Sequence, residues 1–262
     1  MTLDMPWLPR GTVYGPLLNF RREWALWAPR MAEAPYQAAP QAPVLYVKTA
    51  NTFAPAGAAV PVTGEVELGA TLGLVIGDFE TNGGAAGTHQ AQAAINIEVD
   101  GLSRVAGCVL LDDLSLPHAS YYRPAIRYRN RDGFLVCAPS VTPLREVAVK
   151  ALKIEVRVNG ARVQTVDLST LVRDAATLLA DVGAFMTLQP GDVLLLGTDC
   201  LPDGTRPRAR AGDRIEMAAP GLAPLTHTLV EEVSAAGPPQ GAKAPSGGSA
   251  DTPVRSVGAS SS

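Results

Sequence analysis

The chain has 262 residues, 47% of them hydrophobic and 18% charged, with a formal net charge of −3. That balance belongs to a globular protein with room for a sizeable core. No basic run suits a nucleic-acid partner, and apolar runs such as "DVLLLGT" (192–198) fall far short of the ~20 residues a membrane helix needs.

Residues 1–10 read as a loose lead-in without the basic and apolar regions of a signal peptide. Residues 11–235 read as one folded unit, and 236–262, made mostly of Pro, Gly, Ser and Ala, as a disordered tail. Cys108, Cys137 and Cys200 are too few and too scattered for a zinc site or a disulfide framework. A cytoplasmic protein is expected.

In chain order, "TVYGPLLNF" (12–20) and "PVLYVK" (43–48) are short β-type runs. A helix is expected to start near Arg21 and to be stopped early by Pro29. "TLGLVIG" (71–77) and "RVAGCVLLDDLSL" (104–116) read as buried strands, the second ending in acids. "LKIEVRVNGARVQTV" (152–166) is a hairpin, because Asn159-Gly160 suits a type I′ turn. The apolar period of "DLSTLVRDAATLLADVGAF" predicts one helix over about 167–183, capped by Asp167 or Ser169 and ended by Gly183. Two further strands follow the Gly-Asp turns of "QPGDVLLLG" and "RAGDRIEMAA". Many strands with one clear helix predict a β-rich α+β roll or sandwich.

"GEVELGATLGLVIG" (64–77) carries Glu65 and Glu67 one residue apart. In a strand both face one side, about 6.5 Å apart, so they could share a divalent cation. They also fit the wet face of a strand whose Val60, Val62, Val66 and Leu68 turn inward. His89, His118 and His227 are expected at the surface or in loops, and Arg123, Arg127, Arg129 and Arg131 either on a solvated strand face or at a binding site.

"VLYVKTANTF" (44–53), "GATLGLVIG" (69–77), "LLDDLSLPHASYYRPAIRYRNRDGF" (110–134), "VNGARVQT" (158–165) and "FMTLQPGDVLLLGT" (185–198) together resemble the fumarylacetoacetate hydrolase superfamily. Within it, the 110–134 stretch is most similar to the bifunctional isomerase/decarboxylase group of homoprotocatechuate (4-hydroxyphenylacetate) breakdown, and to its N-terminal half. The resemblance implies a mixed β-sandwich roll of the C-terminal-domain type. It implies chemistry on small dicarboxylate or 2-oxo acid substrates, with Mg2+ or Mn2+ held by a Glu-x-Glu pair and a later Asp.

Counting back from Ile76-Gly77, the paired ligand positions fall on Gly69 and Thr71, and Asp113 stands at the third. Neither Gly69 nor Thr71 supplies a carboxylate, so tight binding of a metal is not expected. A rival register restores Glu65 and Glu67 as ligands with Asp113. Glu23 and Leu26 stand where the family has a His and a Glu that activate water. Lys48, Arg129, Arg131, Asp132 and Thr198 stand at substrate-binding positions, Arg129 replacing a lysine. The resemblance therefore implies an enzyme-complex subunit paired with a homologous chain that keeps its Glu-x-Glu site, or a homodimer. A metal-dependent hydrolase or decarboxylase acting alone, and a silent scaffold or acid-binding module, remain open alternatives.

Overall fold

The structure is a computed structural model that describes residues 6–34, 37–77, 101–118 and 126–232. The expected tail at 236–262, His89 and Arg123 lie outside these residues. The strands are β1 (Val13–Leu17), β2 (Val44–Lys48), β3 (Phe53–Pro55), β4 (Ala59–Val62), β5 (Val66–Glu67), β6 (Ala70–Ile76), β7 (Val105–Asp113), β8 (Leu135–Cys137), β9 (Thr142–Pro143), β10 (Lys153–Val158), β11 (Ala161–Asp167), β12 (Val193–Leu195), β13 (Arg208–Ala209), β14 (Arg214–Ala218) and β15 (Leu225–Glu231). The α-helices are α1 (Arg21–Met31), α2 (Ile126–Arg129) and α3 (Ala175–Gly183).

An eight-stranded sheet runs β2–β1–β12–β6–β7–β8–β3, with β9 beside β7. A five-stranded sheet runs β11–β10–β14–β15–β4, and β5 pairs with β13 in a two-stranded ribbon. Both large sheets are mixed, since β1 runs parallel to β12, β3 to β8 and β15 to β4. β6 and β7 are buried along their whole length, which is why their sequences are apolar without alternation. In the five-stranded sheet, Ile154, Val156, Ile215, Met217, Leu225 and Leu229 alternate with more exposed residues and enter the same core as Leu72 and Leu110. This is the strand-rich roll the sequence predicts. The β10–β11 turn also forms as expected, with φ +51° at Asn159 and +81° at Gly160.

The helices depart from expectation. The helix predicted over 167–183 is split: a 3-10 turn spans Leu168–Thr170, capped by Asp167, and α3 begins only at Ala175, capped by Asp174. Asn19 causes the break. Its carbonyl accepts from Val172 N at 2.8 Å and its Oδ1 from Arg173 N at 3.0 Å. Its Nδ2 donates to the carbonyls of Arg173 and Leu196. Pro29 does not stop α1; it lies inside the last turn, and the helix runs on to the buried Met31. The expected loose lead-in is anchored in part, because Trp7 N donates to the Pro139 carbonyl at 3.1 Å and Trp7 and Leu8 pack on the core. Among the described residues no helix is long and apolar enough to cross a membrane.

Candidate functional site

The site forms where the end of β7 meets β2 and α2. Strand alternation sends Asp112 and Asp113 to opposite faces of β7, and Asp113 becomes the hub. Lys48 Nζ reaches its Oδ1 at 2.9 Å, Arg129 Nη1 reaches its Oδ2 at 2.9 Å, and the Tyr46 hydroxyl donates to the same Oδ2. Tyr46 and Lys48 are two residues apart on β2 and so share a side. Room for the tyrosine comes from β1: a Cβ at Gly15, its cross-strand partner, would lie 2.2 Å from the ring. The Arg129 guanidinium also stacks over that ring at 4.5 Å.

Lys48 is wholly buried and donates to the carbonyls of Phe134 (2.8 Å), Leu114 (3.3 Å) and Arg129, while its charge faces Asp113. Burial alone would raise the Asp113 carboxyl, but Lys48 and Arg129 beside it outweigh that and hold it below the usual carboxylate range. Burial lowers the Lys48 ammonium despite the attraction of Asp113. Burial, and then the Asp113 charge, push the Tyr46 phenol well above its ordinary value.

These residues do not fit a divalent cation. A Cβ at Gly69 would lie 2.2 Å from the Asp113 carbonyl oxygen and 2.9 Å from Thr198 Cγ2, so no glutamate side chain can leave this position. The Gly69 backbone is itself committed, its N donating to Asp112 Oδ1 at 2.9 Å and its carbonyl accepting from Asp113 N at 2.9 Å. Thr71 is buried and offers only a neutral hydroxyl, and both Asp113 oxygens face cations. No group of three or more His, Cys, Asp or Glu among the described residues is arranged to hold a metal ion. Of the rival pair, Glu67 lies on β5 and Glu65 just before it, and Arg208 of β13 approaches Glu65 at 3.4 Å and Glu67 at 3.7 Å.

Of the predicted substrate residues, the structure brings Lys48 and Arg129 together on Asp113 and sets Thr198 against Gly69. Arg131 and Asp132 go elsewhere: Arg131 pairs with Glu232, and the exposed Asp132 accepts from Asn51 Nδ2 at 2.7 Å. Among the described arginines, Arg127 and Arg129 lie on the short helix α2, where Arg129 is buried, and Arg131 follows it, so these three do not line a strand face. Glu23 is also buried and accepts from Arg206 Nη2 at 2.9 Å, while Leu26 is 48% exposed. Asp199 is buried and lies 3.5 Å from Arg22.

His118 fits the expected loop position, stacked on Tyr128 at 5.0 Å. His227 does not. It is a core residue of β15, with Nε2 2.8 Å from Asp112 Oδ2, and so ties the two large sheets together. Tyr46, the Asp112–His227 pair and Arg206 are the members of this region absent from the sequence reading. Two of them carried a signal: Tyr46 shares a strand face with Lys48, and His227 falls in the inward register of Leu225 and Leu229.

Chemically, two buried cations face one carboxylate, an arrangement suited to an anion. Residues 12–230 match the family described as fumarylacetoacetate (FAA) hydrolase C-terminal. The 4-hydroxyphenylacetate degradation bifunctional isomerase/decarboxylase of Escherichia coli is 34% identical over 225 residues, covering 85% of this chain and 48% of that protein. The chain thus spans about half the length of the curated relatives it matches most fully. Among solved structures, the 5-carboxymethyl-2-hydroxymuconate delta-isomerase of Mycobacterium smegmatis superposes with a TM-score of 0.63 at 22% identity, covering 87% of this chain and 82% of that one. A maleylpyruvate hydrolase of Sphingobium sp. SYK-6, solved with manganese(II) and pyruvate, gives 0.61 at 20% identity, covering 87% and 72%.

Proposed function

The chain belongs to the fumarylacetoacetate hydrolase family, and from that premise we propose that it is the metal-free subunit of an isomerase/decarboxylase of 4-hydroxyphenylacetate catabolism. Its complex would decarboxylate 5-carboxymethyl-2-oxohex-3-ene-1,7-dioate and isomerise the resulting 2-hydroxyhepta-2,4-diene-1,7-dioate. A homologous subunit with an intact Glu-x-Glu pair would carry the Mg2+ or Mn2+. The likeness to one half of a two-fold longer enzyme supports the pairing.

The observation that carries this reading is the closure of the ligand positions. Gly69 has no space for a side chain, and Lys48 and Arg129 supply internally the positive charge that an ion would otherwise bring to Asp113. The Glu23–Arg206 pair supports it further, because the carboxylate at this position is turned to a buried guanidinium at 2.9 Å. Within this chain Lys48, Arg129 and Tyr46 would bind and orient an anionic group, and Thr198 would shape the wall beside it. Arg131 and Asp132 would act from outside that cluster.

The test is to purify the tagged chain from its own source and to assay it for both steps, alone and with whatever co-purifies, in Mg2+. The reading expects a co-purifying homologue with a Glu-x-Glu pair and turnover only in the mixture. Turnover by the chain alone, raised by Mg2+ and abolished by chelation, would overturn it.

A further inference from the structure

Asn159 and Gly160 form the exposed turn of the β10–β11 hairpin. An Asn-Gly step is open to self-modification, because glycine has no side chain to keep its nitrogen from closing on the neighbouring carboxamide carbon. At Gly160 even an added Cβ would meet nothing within 4 Å. The carboxamide that would react is nevertheless pinned. Asn159 Nδ2 donates to Asp213 Oδ1 at 2.8 Å, and its Oδ1 accepts from Arg214 N at 2.9 Å. Its backbone N donates to the Arg214 carbonyl at 2.9 Å. Asp213 is fixed in turn, its Oδ2 accepting from Arg210 N at 2.8 Å and its carbonyl from Leu229 N at 2.9 Å. Both polar ends of the Asn159 side chain are thus held at the start of β14, the strand that pairs with β10 as Val158 with Ile215.

We propose that Asn159 is a covalent modification site, a deamidation site held in check by its clasp on Asp213 and Arg214. When the clasp opens, the Gly160 nitrogen gives its proton to solvent and bonds to Asn159 Cγ, and Nδ2 leaves as ammonia. Water then adds to the cyclic imide and opens it to aspartate or isoaspartate. The product has lost the donor that Asp213 accepts and sets a second carboxylate against it, so like charges keep the clasp from re-forming. The change is irreversible, and it loosens the five-stranded sheet where β10 meets β14. The inference is independent of the anion centre and of any partner subunit.

The test incubates the full chain at mildly alkaline pH, folded in buffer and unfolded in guanidinium chloride. Peptide mass spectrometry follows the replacement of NH2 by OH at Asn159. The expected result is conversion several-fold slower in the folded chain than in the unfolded one, and several-fold faster in folded Asp213→Ala than in the folded unaltered chain. Equal rates in the folded and unfolded chain overturn the proposal, as does an unfolded chain that does not convert at Asn159. A folded Asp213→Ala that converts no faster overturns it too. If Asp213→Ala fails to fold, the folded and unfolded rates of the unaltered chain decide alone. Asn159→Asp, which carries the product's carboxylate, should speed amide hydrogen exchange at Arg214 several-fold. Unchanged exchange there would overturn the loosening of the sheet.

Discussion

At Gly69 a single methyl group has nowhere to go. Its backbone does not adopt a left-handed conformation, so the constraint is space alone: a Cβ would lie 2.2 Å from the Asp113 carbonyl oxygen. Gly69→Ala is expected to cost ~1–3 kcal/mol or more by overpacking, readable from denaturant unfolding, and a neutral result would mean that β6 and β7 can separate there. Lys48 and Asp113 offer a second check. Removing one member of a buried pair leaves the other uncompensated, so Lys48→Met and Asp113→Asn are each expected to cost ~3–5 kcal/mol. The double variant should cost less than their sum.

The sign of the pH effect follows from the depressed Asp113 carboxyl. Its contribution is fully present above the unfolded value of about 3.9 and is lost as pH falls through the lower folded value. Unfolding free energy should therefore drop below about pH 4, and less so in Asp113→Asn. Lys48, Arg129 and Asp113 could be singled out in the sequence only because the family resemblance marks their positions. Arg206 could not, because its pairing with Glu23 joins residues 183 apart in the chain. Nothing local announces such a contact.

Secondary structure was legible wherever side-chain period and turn chemistry agreed. The β10–β11 hairpin is the clearest case, since Asn159-Gly160 and the inward Ile154 and Val156 point to one register. The expected single helix over 167–183 failed because its apolar period runs unbroken through residues whose amides are claimed from afar. Asn19 takes the N–H groups of Val172 and Arg173, and α3 must restart behind Asp174. Asp174→Ala should cost ~1 kcal/mol through loss of the cap on Thr177 N at 2.9 Å. Leu178→Ala, at a site with no exposure, should cost ~2–5 kcal/mol. Thermal or denaturant unfolding of the two variants gives both figures. A cost for Asp174→Ala below ~0.3 kcal/mol would mean that the helix does not depend on its new start.

For the molecule as a whole, on the proposed reading, the family's fold surrounds a centre held by its own cations in place of a metal ion. In that reading Gly69 leaves no room for a carboxylate side chain, and Lys48 and Arg129 take both oxygens of Asp113. The measurement that tests this most directly is the melting temperature of the purified chain with and without excess Mn2+. An ion present at 100 times its dissociation constant would stabilise the fold by ~2.7 kcal/mol, equivalent to several degrees for a domain of this kind. The account predicts no resolvable shift, in the unaltered chain and in Glu65→Gln, Glu67→Gln alike. A Mn2+-dependent rise that the double substitution abolishes would contradict it and return Glu65, Glu67 and Asp113 to service as ligands.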